Sequence, residues 1–187
     1  MKPAVIVVDM QKGFVRGGKL RADLANVLIQ NVRHLVEKAR EMKVPIIYTQ
    51  DSHYPGIDFE VKFRGEHTLC GTEGTNIVPE LTPKPSDYVI KKRRYDGFFE
   101  TGLDLLLREL GVDTLILTGI TAHICVMHTA CGAFYRGYGV TVAEDCVVSF
   151  TEEDKRMSLD YIRKNYAGKI ESSDAVIKGL REKIGAR

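Results

Sequence analysis

The sequence of 187 residues lacks several features that define large classes of proteins. It has no apolar run of about 20 residues, so it predicts no membrane span and no membrane partner. Its four cysteines form no CxxC pair, and the short apolar run at residues 4–8, which ends at Asp9, is not expected to be a secretory leader; both observations argue against a zinc ribbon and a disulfide framework. A formal net charge of +2 is too small to indicate a nucleic-acid partner. Without repeats, low-complexity segments or linkers, the chain is predicted to form one cytoplasmic domain over residues 1–187.

Apolar runs rich in branched residues alternate with amphipathic stretches along the chain. The pattern predicts strands at residues 4–8, 45–49, 88–91, 114–117, 139–143 and 169–171, with helices over 23–42, 101–110, 122–136, from 151 and over 173–184. Residues 51–85 are predicted to be irregular, and a loop of that length is usually functional. This alternation predicts an α/β protein with a three-layer α/β/α, Rossmann-like architecture, in which helices cover both faces of a mostly parallel six-stranded sheet.

Chemically capable side chains follow four of these strands. Asp9 ends the first strand, Asp51 and His53 follow the second, Lys92 follows the third, and Cys125 comes shortly after the fourth. Because ligands of such sheets bind beyond the carboxyl ends of the strands, we expect these side chains to share one site.

Cys125 lies where a helical pattern begins, and this position suits a nucleophile. The positive end of a helix dipole, together with a nearby ammonium such as that of Lys92, would favour a thiolate. The alternative is that Cys125 is a small buried apolar residue, as most free cysteines are. Asp9 could equally cap a turn, and Lys92 could be an exposed charge.

Five stretches resemble the isochorismatase-like cysteine hydrolases, which include nicotinamidases and N-carbamoylsarcosine amidases. They are VVDMQKGF at 7–14, TQDSHYP at 49–55, HTLCGTEG at 67–74, KRRYDGFFET at 92–101 and GITAHICVMHTA at 119–130. The resemblance covers nearly the whole chain, from about residue 4 to 174. It implies a hydrolase of carbon–nitrogen bonds other than peptide bonds, which acts on linear amides.

The resemblance also implies the catalytic residues. The Asp–Lys–Cys triad of the family falls on Asp9, Lys92 and Cys125, with Lys91 as the competing lysine. A cis peptide between Ile120 and Thr121 is implied, and it would aim the Thr121 N–H, with that of Cys125, at a developing oxyanion. A Cys–His dyad with His128 is the rival catalytic arrangement.

The long loop carries a possible metal site. The histidines and carboxylate of Asp51, His53 and His67 suit Zn²⁺ or another divalent ion, and they match the metal ligands of nicotinamidases. The alternative is a pair of surface histidines. No nucleotide or organic cofactor is expected. Residues predicted to shape the substrate pocket are Phe14, Tyr95, Phe98 and His123.

Departures from the family pattern bear on the substrate. The sequence has no tryptophan, and Ser52 stands where nicotinamidases usually have one. Asp96 replaces a common serine, with Arg94 nearby. The predicted function is therefore N-carbamoylsarcosine amidase-like: cleavage of a small-molecule amide or ureido C–N bond through a thioester, with release of ammonia. The alternatives are a nicotinamidase and a non-catalytic or thiol-redox protein. The family further implies a homo-oligomer, either a dimer or a tetramer.

Overall fold

The computed structural model describes residues 1–17 and 20–185 and contains one parallel sheet. Its strands are β1 (Pro3–Val8), β2 (Ile46–Asp51), β3 (Tyr88–Lys92), β4 (Thr114–Ile120), β5 (Gly139–Val148) and β6 (Lys169–Glu171). They are arranged in the order β3-β2-β1-β4-β5-β6, and every neighbouring pair is parallel. The predicted α/β class is confirmed, and the sheet is parallel throughout.

Helices cover both faces of the sheet because the central strands are apolar on both sides. The helices are α1 (Lys12–Val15), α2 (Ala22–Glu41), α3 (Phe59–Arg64), α4 (Leu103–Glu109), α5 (Met127–Tyr135), α6 (Glu152–Asn165) and α7 (Ser173–Gly185). Val5 and Val7 of β1 pack in one core with α2 and α7. The alternate residues Ala4, Ile6 and Val8 pack in a second core with α4, α5 and α6.

The order of the strands places a crevice at the middle of the sheet. The chain runs from β1 outward to β2 and β3, and then returns to the other side of β1 as β4. Neighbouring connections thus diverge beyond the carboxyl ends of β1 and β4, where open α/β sheets bind ligands. Among the described residues, no helix is long and apolar enough to cross a membrane.

The segment predicted to be irregular over 51–85 contains structure that the sequence pattern did not indicate. It includes α3 and two short 3-10 turns, Glu73–Thr75 and Pro79–Leu81. Within α3 the aromatic side chains of Phe59 and Phe63 are exposed, whereas Glu60 and Val61 are buried. The helix therefore lacks the apolar periodicity by which the other helices were recognised.

Other boundaries also differ from prediction, and β4 extends to Ile120 rather than ending at residue 117. The helix expected to begin at Ala122 starts with one π-helical turn, Ala122–Val126, and α5 proper begins at Met127. Strand β5 continues to Val148 past a break in its register with β4. The predicted helix start at Thr151 is confirmed: α6 begins at Glu152, and the Thr151 side chain caps it by accepting a hydrogen bond from the backbone N–H of Asp154.

Candidate active site

A buried ammonium group organises the crevice at the end of β1. Lys92 Nζ lies 2.8 Å from Asp9 Oδ2, 3.3 Å from Asp51 Oδ1 and 3.6 Å from Cys125 Sγ. The side chains of Lys92 and Asp9 are completely shielded from solvent. Lys91, the competing lysine, is exposed. The structure therefore brings Asp9, Lys92 and Cys125 together, as the resemblance implied.

Neighbouring groups fix the orientation of these charges. The Thr49 hydroxyl donates to Asp9 Oδ1 over 2.7 Å, and Lys92 Nζ donates to the Arg94 carbonyl over 2.9 Å. Asp9 Oδ2 accepts no hydrogen bond of acceptable geometry within the described chain, although the ammonium is close. This oxygen therefore keeps the capacity to accept another proton donor.

Burial and charge act on the three groups in different directions. Burial raises the pKa of Asp9, and the opposing effect of Lys92 does not cancel it. Burial alone would lower the pKa of Lys92, but the charges of Asp9, Cys125 and Asp51 raise it well above its ordinary value. Lys92 therefore stays charged, whereas Asp9 is suited to exchanging a proton.

The expectation that the helix start favours a Cys125 thiolate is wrong for the free protein. Burial is the largest effect and raises the pKa of the Cys125 thiol. The Lys92 ammonium lowers this pKa, but the carboxylates of Asp9 and Asp51 raise it again, and the result lies well above the ordinary value. Desolvation and the two carboxylates outweigh the ammonium, so the thiol is protonated at neutral pH and needs a base to ionise it.

The backbone before Cys125 follows an unusual path. The peptide bond between Ile120 and Thr121 is cis, at the position that the resemblance implied. The backbone N–H groups of Ile124 and Val126 both donate to the Thr121 carbonyl, at 3.1 and 3.2 Å. Gly119 has a φ of +99°, and a Cβ at this residue would lie 2.0 Å from the Val8 carbonyl oxygen, so only glycine lets β4 approach β1 this closely.

A buried amide joins three segments around the crevice. Gln11 Nε2 donates to the carbonyls of Asp51 and Thr75, both at 2.8 Å, and Gln11 Oε1 accepts from the Asp51 N–H at 2.8 Å. Gln11 is fully buried, and these three amide contacts are with backbone atoms. The end of β2 is therefore fixed relative to the segment that follows β1.

A cluster of possible metal ligands lies beside the ammonium. One atom from each of Asp51, His53, Glu60 and His67 lies within 4.8 Å of every other. His53 Nε2 is 2.9 Å from Asp51 Oδ2, yet it has no hydrogen-bond partner of acceptable geometry in the described chain. Two imidazoles and two carboxylates therefore face one another, and the Nε2 atom of His53 is left without a hydrogen-bond partner among the described residues. Such a donor set fits a divalent cation.

The outer nitrogens of both histidines are occupied. His53 Nδ1 lies 3.1 Å from Asp58 Oδ2, and His67 Nδ1 lies 2.7 Å from the Gly65 carbonyl. Asp58 is buried and bonded to the Arg93 guanidinium, whose proximity holds the pKa of this carboxyl far below its usual range. Acceptors at both Nδ1 atoms direct the Nε2 lone pairs into the cluster, as in many zinc sites.

A cavity of about 400 Å³ opens over the thiol. Its walls are mostly apolar, and the polar groups among them include Glu60, Arg64 and His67. Phe14 and Tyr95 line it as predicted, together with Leu20, Ile120, Thr121, Ile124, Cys125 and Phe150. A pocket of this size suits a small molecule.

Two residues predicted to shape the pocket lie outside its walls. The Phe98 ring is buried against Tyr138, with its centroid 5.8 Å away. His123 bonds to Ser149 through Nδ1 at 2.9 Å and contacts the ring of Phe150, which is itself a wall residue. These predictions failed because sequence proximity to the cysteine and the lysine does not determine the direction of a side chain.

Asp96 also faces away from the cavity. Its carboxylate accepts the backbone N–H of Phe98 at 2.8 Å, and a Cβ on Gly132 would lie 2.5 Å from its Oδ1. The charge that replaces the common serine is therefore accommodated by a glycine of α5.

The sequence reasoning missed Glu60, Arg64 and Gln11. Glu60 and Arg64 lie four residues apart in α3, a helix too short and too exposed to be recognised from periodicity. For Gln11, the available signal was its position two residues after Asp9 within a stretch shared with the family.

The sequence profile of the isochorismatase domain matches residues 3–174. The chain belongs to the isochorismatase family. Its hydrolase character and its three-layer fold, both expected from the sequence, are thereby confirmed.

Several solved structures of the isochorismatase family resemble this chain closely. N-carbamoylsarcosine amidase from Thermoplasma acidophilum is 38% identical with a TM-score of 0.86, over 93% of this chain and 98% of that one. Nicotinamidase from Bacillus subtilis is 26% identical with a TM-score of 0.85, over 92% and 100%. Pyrazinamidase from Pyrococcus horikoshii, solved in complex with zinc, is 29% identical with a TM-score of 0.83, over 92% and 99%.

Proposed function

We propose that this isochorismatase-family hydrolase is a cysteine-dependent amidohydrolase that cleaves an amide or ureido C–N bond of a small molecule, as an N-carbamoylsarcosine amidase does. The observation that carries the proposal is the contact of one buried ammonium, that of Lys92, with a nucleophile and a proton-exchanging carboxylate. A purely structural role for Lys92 would not explain why its ammonium lies 3.6 Å from the Cys125 thiol, in the wall of an open cavity.

In the first half of the reaction, Cys125 Sγ attacks the carbonyl carbon while its proton passes to Asp9 Oδ2. The oxygen of the tetrahedral intermediate is held by the backbone N–H groups of Thr121 and Cys125, donors of a kind typically worth roughly 2.7–4 kcal/mol each. The C–N bond then breaks, Asp9 returns its proton to the leaving nitrogen, and ammonia departs, leaving a thioester.

In the second half, Asp9 takes a proton from water, and the water oxygen attacks the thioester carbon. The C–S bond breaks, the proton returns to sulfur, and the acid product leaves. Lys92 keeps its charge throughout and balances the negative charge that moves between Asp9 and Cys125. The raised pKa of Asp9 suits both of its roles, because it holds a proton more readily than an ordinary carboxyl.

We further propose that Asp51, His53, Glu60 and His67 hold a divalent ion, with zinc as the first candidate. When bound, such an ion would supply Lewis acidity and a coordination position for a substrate heteroatom at the cavity wall. The triad chemistry above is carried by residues of the chain alone.

A nicotinamidase remains the second candidate, because a solved relative has this activity and because the aromatic rings of Phe14 and Tyr95 line the cavity.

The exposed rings of Phe134 and Tyr135 support a homo-oligomer, which light scattering would test.

The test is ammonia release from N-carbamoylsarcosine, simple ureido acids, nicotinamide and pyrazinamide. We expect turnover of a ureido compound by the wild type and its loss in Cys125→Ala and Asp9→Asn, while Cys131→Ala, which changes a cysteine away from the cavity, retains it. Mass spectrometry of rapidly quenched wild type should detect an acylated Cys125. Full activity in Cys125→Ala would refute the proposal, whereas turnover of nicotinamide alone would replace the ureido substrate by that of the second candidate, a nicotinamidase.

A further inference from the structure

The wall of the cavity over Cys125 includes one positively charged side chain, that of Arg64, which forms no ion pair with a carboxylate of the described residues. Arg64 ends α3 and contributes to the cavity wall, and none of the ion pairs within the described residues involves its guanidinium. Glu60, four residues earlier, has the spacing of a helical ion-pair partner, but its carboxylate lies beside His53 and His67 instead, at 3.9 and 3.7 Å.

Arg64 is exposed, and its guanidinium lies between two aromatic rings, those of Phe63 at 5.3 Å and of Tyr95, which lines the cavity. Arg64 Nε donates to the Tyr95 hydroxyl over 2.9 Å, and its central carbon lies 5.6 Å from the centroid of the Tyr95 ring. The two terminal nitrogens have no hydrogen-bond partner in residues 1–17 and 20–185. Arg64 thus presents a planar pair of donors beside a cavity whose other walls are mostly apolar.

The remaining charges near the cavity are already matched. Lys92 is surrounded by Asp9 and Asp51, while Glu60 and Asp51 belong to the cluster that fits a divalent cation. Arg64 is therefore the charged residue of the cavity wall that has no oppositely charged partner among the described residues. A carboxylate on a ligand is its natural complement, because the guanidinium fork matches the two carboxylate oxygens.

We propose that Arg64 is a specificity-determining residue that binds a carboxylate at the end of the substrate remote from the scissile C–N bond. The substrate is therefore a ureido or amide acid rather than a neutral carboxamide. This inference rests on the proposed function, since it assigns an orientation to the substrate in the same cavity, with the carbonyl at Cys125 and the carboxylate at Arg64.

The experiment compares N-carbamoylsarcosine with its methyl ester, which has nearly the same shape but no negative charge. Both would be assayed with the wild type, Arg64→Gln, Arg64→Lys and Lys62→Gln. The last variant removes the same charge from an exposed position of the same helix, away from the cavity. Ammonia release gives kcat and KM for each pair.

We expect Arg64→Gln to lose roughly 10- to 100-fold in kcat/KM for the acid, mainly through KM, because the lost contact binds ground and transition states alike. The ester should change little, Arg64→Lys should keep part of the preference, and Lys62→Gln should behave as wild type. An unchanged acid-to-ester ratio in Arg64→Gln would overturn the inference.

A second measurement separates this inference from the amidohydrolase proposal. Alkylation of Cys125 by iodoacetamide is followed by mass spectrometry in the presence of the acid or the ester, which needs no turnover. Protection by the acid at a concentration roughly 10- to 100-fold below that of the ester, lost in Arg64→Gln, supports carboxylate binding even if neither compound is hydrolysed. Equal protection by both compounds, or by neither, overturns it.

Discussion

Replacing Lys92 by methionine tests how far one ammonium holds the proposed catalytic centre together. The change keeps the length and apolar stem of the side chain but removes Nζ, which contacts Asp9 at 2.8 Å and Asp51 at 3.3 Å. Two buried carboxylates then lose their cation. Breaking a buried ion pair from one side typically costs roughly 3–5 kcal/mol, and we expect a loss of that size in the free energy of unfolding.

The loss in the free energy of unfolding should come more from Asp9 than from Asp51. Asp51 keeps His53 Nε2 at 2.9 Å, whereas Asp9 keeps only the Thr49 hydroxyl. Neutralising Asp9 should therefore recover most of the loss. We expect Lys92→Met with Asp9→Asn to be about 2–3 kcal/mol more stable than the sum of the two single losses predicts. Activity should be absent from all three variants.

The loss should also depend on pH. A carboxyl whose pKa is raised by folding costs stability when it ionises, and this cost disappears as the pH falls below the folded pKa. The pKa of Asp9 is already raised by burial, and losing Lys92 raises it further. The pKa of Lys92 is also raised, so its stabilisation is complete below about pH 10.5 and is lost as the pH rises through its folded value. The difference between wild type and Lys92→Met should thus be largest near neutrality and shrink in acid.

Urea unfolding followed by circular dichroism between about pH 5 and 9 measures these differences. A stability within 1 kcal/mol of wild type for Lys92→Met, or strict additivity in the double variant, would refute the account of Lys92 as the cation that both carboxylates need.

Five other substitutions test the possible metal cluster and the surroundings of two helical glycines. Asp58→Asn should weaken Zn²⁺ binding roughly 10- to 100-fold in calorimetry, because the acceptor that orients His53 is weakened; unchanged affinity would contradict that role. Glu60→Gln should also weaken Zn²⁺ binding, and an equal affinity would remove Glu60 from the ligand set. Gly132→Ala should lower the free energy of unfolding by roughly 1–3 kcal/mol, because the added Cβ meets the Asp96 carboxylate, and adding Asp96→Ser should restore part of this loss. Gly179→Ala, which has open space around it, should instead stabilise the protein by about 0.5–1 kcal/mol, as measured by thermal unfolding.

The sequence predicted those features that depend on periodicity and chain order. Strands that are buried on both faces are apolar throughout, so β1 and β4 could be recognised, and the order of strands and helices then brought Asp9, Lys92 and Cys125 to one edge of the sheet. The choice of Lys92 over Lys91 came from the resemblance to the family, and burial of Lys92 agrees with it.

The features that were missed depend on three-dimensional surroundings. The state of the Cys125 thiol was misjudged because the local backbone favours a thiolate, whereas burial and two carboxylates from other strands favour the thiol. Glu60 and Arg64 lie on a six-residue helix that buries only Glu60 and Val61 and therefore has no continuous apolar face. No periodic pattern marks such a helix.

The buried amide of Gln11 has a consequence for how the protein folds. Its partners lie 40 residues away at Asp51 and 64 residues away at Thr75. Contacts of such separation close long loops, and the entropy of closing them must be offset before they contribute to stability. The edge of the crevice therefore cannot form from any short stretch of a growing chain. During synthesis, the contacts of the Gln11 amide cannot form until residues well beyond the second strand have emerged, so this edge of the crevice, next to Asp9, is completed only after Thr75 has been added.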